Sequence, residues 1–113
     1  MADNKQYISQ PQENGNVLIS EDVIATIVTH AVGEVEGVSG LSNAVKKGWG
    51  RGLKVTISPE DALSIECNII VFYGQSVFDV AKAVQAAISS AVLSMTGITV
   101  SAVNVNVSGI IRK

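Results

Sequence analysis

The sequence predicts an α+β fold: a two-layer sandwich in which a mixed sheet of four to five strands carries two long helices on one face. Three observations predict it. Residues 20–37 and 76–97 repeat apolar side chains at helical spacing, and each stretch closes on a glycine. Residues 53–57 and 63–72 alternate at period two around a proline turn, the signature of a hairpin. The second helix then leads from the 63–72 strand into another β-rich run, 98–107, and a helical crossover of this kind is what joins parallel neighbours.

A chain of 113 residues is long enough to bury a single core, and 47% hydrophobic with 16% charged residues is a globular composition. Two segments are expected: a polar, mobile N-terminal tail over 1–15 and one domain over 16–113. The net charge of −2 gives no long-range attraction to nucleic acid or anionic lipid, so any such binding needs a local patch. The N-terminus is polar, and no uninterrupted apolar run reaches the roughly 20 residues of a membrane span. A cytoplasmic protein with no direct membrane insertion is expected.

In chain order, Val17-Leu18-Ile19 reads as a short strand. Ser20 is placed as an N-cap, with Glu21 and Asp22 in the first turn where the helix dipole favours negative charge. Val23, Ile24, Ile27, Val28, Ala31 and Val35 form the first apolar stripe, with Gly37 as its stop. Residues 38–45 are a weak strand or link, and 46–52 a glycine-rich loop. Leu53, Val55 and Ile57 face one way on the first hairpin strand. The second strand is apolar on both faces at its far end, as a central strand is. Ser76 caps the long helix, whose stripe is Val77, Val80, Ala81, Val84, Ala87, Ile88, Ala91, Val92 and Met95. In the last strand the apolar phase reverses between Val100 and Val103, which predicts a bulge near Ala102.

Catalytic chemistry finds little material. His30 is the sole histidine and Cys67 the sole cysteine, so neither a two-His metal site nor a disulfide can form within the chain. His30 and Glu34 are one helical turn apart, the spacing of a surface pair. Cys67 sits among alternating apolar residues as a core thiol. No Gly-x-Ser-x-Gly elbow is present, and the glycine string 48–52 leads into a strand, whereas phosphate loops open a helix. The expected reading is not an enzyme, with no catalytic residue, no metal and no cofactor.

Two surfaces remain. Lys46, Lys47, Trp49, Arg51 and Lys54 place four of the eight basic residues around the only tryptophan, a combination that suits a partner protein, nucleic acid or a phosphate surface. The plain alternative is a solvated loop whose Trp49 folds over the core edge. The second surface is the polar side of the long helix, where Ala83, Ala86, Ser89, Ser90, Leu93 and Ser94 are small or uncharged. Solvent faces ordinarily carry Lys and Glu, and small residues let another element approach closely, so this is the candidate self-association face.

Four blocks then resemble the alkaline shock protein family of Gram-positive bacteria, in particular its short, YloU-like members. They are the run from Gly15 to Ile27, Glu34-Val35-Glu36-Gly37-Val38-Ser39-Gly40, Val71-Phe72-Tyr73-Gly74, and Met95-Thr96-Gly97-Ile98-Thr99-Val100 followed by Val103-Asn104-Val105-Asn106-Val107. The resemblance covers about residues 16–110. It implies a small α/β domain associated with alkaline and cell-envelope stress, abundant in the cytoplasm. It further implies self-assembly into a homo-oligomer and attachment to the membrane through a separate, small membrane-anchored protein. No catalytic residue comes with it. The basic loop falls between the matching blocks, so a nucleic-acid or phosphate-binding regulator using residues 46–54 stands as the alternative.

Overall fold

The middle of the sheet is β5 (Leu63–Phe72), in which every residue is buried or half-buried. The computed structural model describes residues 7–42, 52–60 and 62–112. Before β5 come β1 (Tyr7–Gln12), β2 (Gly15–Ser20), α1 (Glu21–Gly33), β3 (Val38–Leu41) and β4 (Leu53–Ile57). After it come α2 (Val77–Thr96) and β6 (Val100–Ile111). β6 runs parallel to β5 along its whole length, while β3 and β4 pair with it antiparallel. A strand has only two edges. β4 takes Leu63–Cys67 and β3 takes Ile69–Val71, so these two lie end to end along the edge opposite β6. The mixed sheet, expected with four to five strands, has four and is three strands wide.

The joint between β3 and β4 falls at Asn68. Its N–H donates to the Gly52 carbonyl at 2.8 Å, and its carbonyl accepts from the Ser42 N–H at 2.9 Å. Gly52 has φ +78°, and a Cβ there would stand 2.6 Å from the Ser42 carbonyl oxygen, so only glycine lets the two ends meet. Leu63, Ile65, Cys67, Ile69 and Val71 point to one face of β5 and form a single core with Ile24, Ile27, Val28 and Val32 of α1 and Val80, Val84, Ile88 and Val92 of α2. The helices lie side by side on that face, α1 over β3 and β4 and α2 over β6.

Ser20 Oγ accepts from the Val23 N–H at 3.2 Å, and Glu21 and Asp22 occupy the first turn of α1 as the sequence indicates. α1 stops at Gly33, four residues short of the expected Gly37. Gly37 is needed for a different reason. At φ +96° its absent Cβ would fall 2.9 Å from Val80 Cγ2, so the link to β3 passes directly over α2.

Three further expectations change. Residues 7–12, assigned to a mobile tail, form β1 and pair antiparallel with β2 from Tyr7–Ser20 to Gln12–Gly15, a separate two-stranded sheet. Val77 and Met95, assigned to the core stripe of the long helix, are 36% and 71% exposed. β6 begins at Val100 and continues to Ile111, beyond the expected Val107. The predicted bulge is present: the register with β5 skips Ser101, placing Val100 opposite Leu63 and Ala102 opposite Ser64. A second irregularity at Ser108 shifts Gly109 opposite Ile70.

Candidate functional site

Both caps of α2 are made by its own sequence. Ser76 Oγ accepts from the Asp79 N–H at 3.3 Å, and Gly97, left-handed at φ +75°, returns its N–H to the Leu93 carbonyl at 2.8 Å. The buried residues Val80, Val84, Ile88 and Val92 recur every fourth position, a narrow stripe for a helix of 20 residues. Everything opposite is open. Ala83, Ala86, Ser89, Ser90, Leu93 and Ser94 are all exposed, Leu93 to 51%, and form a continuous surface without charge. Ala83, Ala86, Ser90 and Leu93 follow the spacing of a helix-packing seam. At its N-terminal end Phe78 is 70% exposed, with the Lys82 Nζ 5.3 Å from its ring centroid.

A groove of about 570 Å3 opens where the end of α2 meets the start of α1. Val17 and Ile19 of β2, Val23 and Ile27 of α1, and Met95 line it. Sequence reading missed this groove because the end of α2, which closes it, lies far along the chain from the β2 and α1 residues that form its other walls. The one available signal is Met95, a large apolar residue in the last turn of α2. Val17 and Val23 are each 48% exposed, so the wall is continuous with open surface.

Of the basic cluster, Lys46, Lys47, Trp49 and Arg51 lie outside the described residues. Lys54 is exposed on β4, in register with Glu66 of β5. The structure does fix the two ends of that segment, since Ser42 and Gly52 meet on Asn68.

His30 Nε2 lies 3.6 Å from Glu34 on an exposed turn of α1, the expected surface pair. Among the described residues no three His, Cys, Asp or Glu side chains come together as metal ligands. Cys67 is fully buried on the helix-covered face, and burial followed by the neighbouring Glu66 carboxylate pushes its thiol from 9.0 up to about 11. Such a thiol is protonated at neutral pH and shielded from reagents. On the opposite sheet face Asn106 Nδ2 donates to Glu66 Oε2 at 3.3 Å, and Asn68, 1% exposed, leaves its Nδ2 without a partner among the described residues.

Comparisons with known proteins agree with this arrangement of elements. YloU of Bacillus subtilis (strain 168) is 31% identical over 107 residues, covering 85% of this chain and 88% of its own length. YqhY of the same organism is 30% identical over 105 residues, covering 85% of this chain and 77% of its own length. Spy1535 of Streptococcus pyogenes serotype M6 is 30% identical over 105 residues, covering 88% and 81%. All three are described as uncharacterized. Among solved structures, chains of the MamM CTD superpose with TM-scores of 0.52 and 0.53 at 16% identity, covering 79% of this chain and 94% and 96% of theirs, a likeness of fold alone. The family model for alkaline shock protein 23, described as having a cell envelope-related function, matches residues 9–112. With nearly the whole chain matched, and relatives at 30% identity spanning most of their own length, this protein belongs to the alkaline shock protein 23 family.

Proposed function

We propose that this chain is a non-enzymatic scaffold of cell-envelope stress homeostasis that works in the cytoplasm by self-association and by holding a small membrane-anchored protein. The observation that carries the reading is the outer face of α2. Ala83, Ala86, Ser89, Ser90, Leu93 and Ser94 leave most of a 20-residue helix uncharged and exposed in a chain whose family function concerns the envelope. Such a face costs little to desolvate and permits close approach of another helix. By length and a mean hydropathy of 1.3, α2 also meets the requirement for a membrane span. Val80, Val84, Ile88 and Val92 are used within the core, however, which supports attachment through a partner in place of insertion.

Sedimentation of the purified chain across micromolar concentrations tests self-association, with Ala86→Glu and Leu93→Glu expected to weaken it. Both positions are exposed, so the fold should tolerate the charge. A tagged chain recovered from solubilised membranes should bring down one small membrane protein. A strictly monomeric chain that recovers nucleic acid alone would overturn the proposal.

One observation favours a second reading, a regulator binding nucleic acid or phosphate through Lys46, Lys47, Trp49, Arg51 and Lys54. The ends of the segment bearing four of these residues are clamped together on Asn68, a way of presenting a binding loop on a rigid base. Its signature is RNA or DNA binding that falls steeply with salt and disappears when the four cations are replaced by alanine.

A further inference from the structure

We infer that the free edge of β6 is a pairing edge for a second copy of this chain, the two strands running antiparallel about a two-fold axis at Val105; the inference rests on the proposed self-association and supplies it with a contact distinct from α2.

Backbone direction comes first. The N–H and carbonyl of Asn68 are bonded to Gly52 and Ser42, on the β3/β4 side of β5. Direction alternates along a strand, so the odd residues of β5 turn their backbone groups toward β6. The Tyr73 N–H, donating to the Ile111 carbonyl, follows the same parity. Within the regular stretch of β6 that faces Ser64–Ile69, the ladder with β5 is then made by Ala102, Asn104 and Asn106. Val103, Val105 and Val107 send their N–H and carbonyl groups out to the open edge. Among the described residues one of these groups is engaged: the Val103 carbonyl accepts from Gln85 Nε2 at 3.0 Å, and a carbonyl oxygen has a second lone pair.

Proteins blunt exposed edges with Lys, Pro, short strands, inward charges or bulges, and β6 uses only the last, at its two ends. Between the bulges the edge carries none of these devices. β6 is 12 residues long and carries no charged side chain and no proline from Val100 to Ile111. The hairpin strand β1, by contrast, carries Pro11. Bulges at Ser101 and Ser108 bound the straight segment 102–107.

The sequence of that segment matches itself in reverse. A two-fold axis at Val105 sets Val103 against the second copy's Val107 and Asn104 against its Asn106. It sets Ala102 against Ser108, and Val105 against its own copy. Apolar residues meet on the helix-covered face and amides on the open face, which is the self-complementarity an isologous contact requires. Val103, Val105 and Val107 are the residues with outward backbone groups, so their three pairings are the hydrogen-bonded kind and give about six inter-strand bonds. The axis stands perpendicular to the sheet. It joins two three-strand sheets into one and keeps all helices on a single side, with α2 and its copy flanking the joint.

The test uses the wild-type chain and two variants. In the wild type, amide exchange followed by NMR should slow at Val103, Val105 and Val107 as concentration rises through the association range, while Asn104 and Asn106 are protected throughout. Asn104→Lys with Asn106→Lys sets like charges across the joint, and the lysine introduced at position 104 faces Glu66 within its own chain, so the fold is retained. This variant should associate at least tenfold more weakly in sedimentation. Asn104→Gln with Asn106→Gln should associate like wild type. If the wild type associates, and the lysine variant matches it with the three valine amides still exchanging freely, the edge is not the contact and α2 alone carries association. If the wild type is monomeric throughout, the self-association reading itself fails and this inference falls with it.

Discussion

At Gly52 one absent Cβ lets two strands share an edge of β5. The position combines φ +78° with backbone atoms of Ser42 2.6–2.8 Å from where a Cβ would stand, and backbone cannot move aside as a flexible side chain can. Gly52→Ala is therefore expected to cost at least ~2 kcal/mol by urea denaturation, through left-handed strain together with a separated β3–β4 joint. Cys67 gives a second residue-scale expectation. Its folded-state value of about 11 lies above the ordinary 9.0, so between these pH values the unfolded chain releases the proton first. Stability from this group is complete below pH 9 and declines as pH rises toward 11, by roughly 2–3 kcal/mol in the limit. Cys67→Val, close in volume, removes that decline, and denaturation midpoints of the two proteins should diverge only on the alkaline side. The core place of Cys67 was legible from the alternation around it. The polar burial of Asn68 was not, because it depends on Ser42 and Gly52 arriving from elsewhere in the chain.

Among the elements, β4 and β5 were legible to the residue, since the proline turn between them, the glycine-rich loop before β4 and Gly74 after β5 bound their apolar runs. The bulge in β6 was legible too, because a change of apolar phase within one strand has few other physical explanations. α2 shows where such reading stops. Periodicity tells which side chains share a side of a helix, but not how far the layer beneath extends. Ile88 and Met95 belong to the same stripe by spacing, yet Ile88 is fully buried and Met95 is 71% exposed at the lip of a groove. Ile88→Ala should lower stability by about 2–5 kcal/mol, and Met95→Ala should change it by no more than about 0.5. Thermal melts of the two variants decide the matter, and equal losses would mean that the α2 end is covered. The end of α1 was misplaced for a related reason. A glycine after an apolar stripe suggests a cap, whereas Gly37 is required by its approach to Val80, a tertiary contact that spacing does not encode.

On the scale of the whole molecule, the unexpected feature is the hairpin of β1 and β2. The first fifteen residues are polar and carry a proline, the composition of a tail, and a lone two-stranded sheet is marginal in water. Two contacts hold it. Ile8 is 1% exposed and joins the core beside Ile19, its partner across the hairpin, and Gln10 Nε2 donates to the Gly97 carbonyl at 3.2 Å, just past the end of α2. One buried isoleucine in a polar stretch gives no periodicity to read, which is why β1 was not legible. The same contacts brace β2, whose Val17 and Ile19 form one wall of the groove against α1 and Met95. Ile8→Ala should therefore act at a distance. It is expected to cost about 2–4 kcal/mol, and to speed amide exchange along β2 while the β5–β6 ladder stays protected. Leu18→Ala, on the outer face of the same hairpin and 62% exposed, should do neither. Unchanged exchange in β2 on loss of the Ile8 side chain would mean that the hairpin stands on strand pairing alone, and that the groove wall is independent of the core.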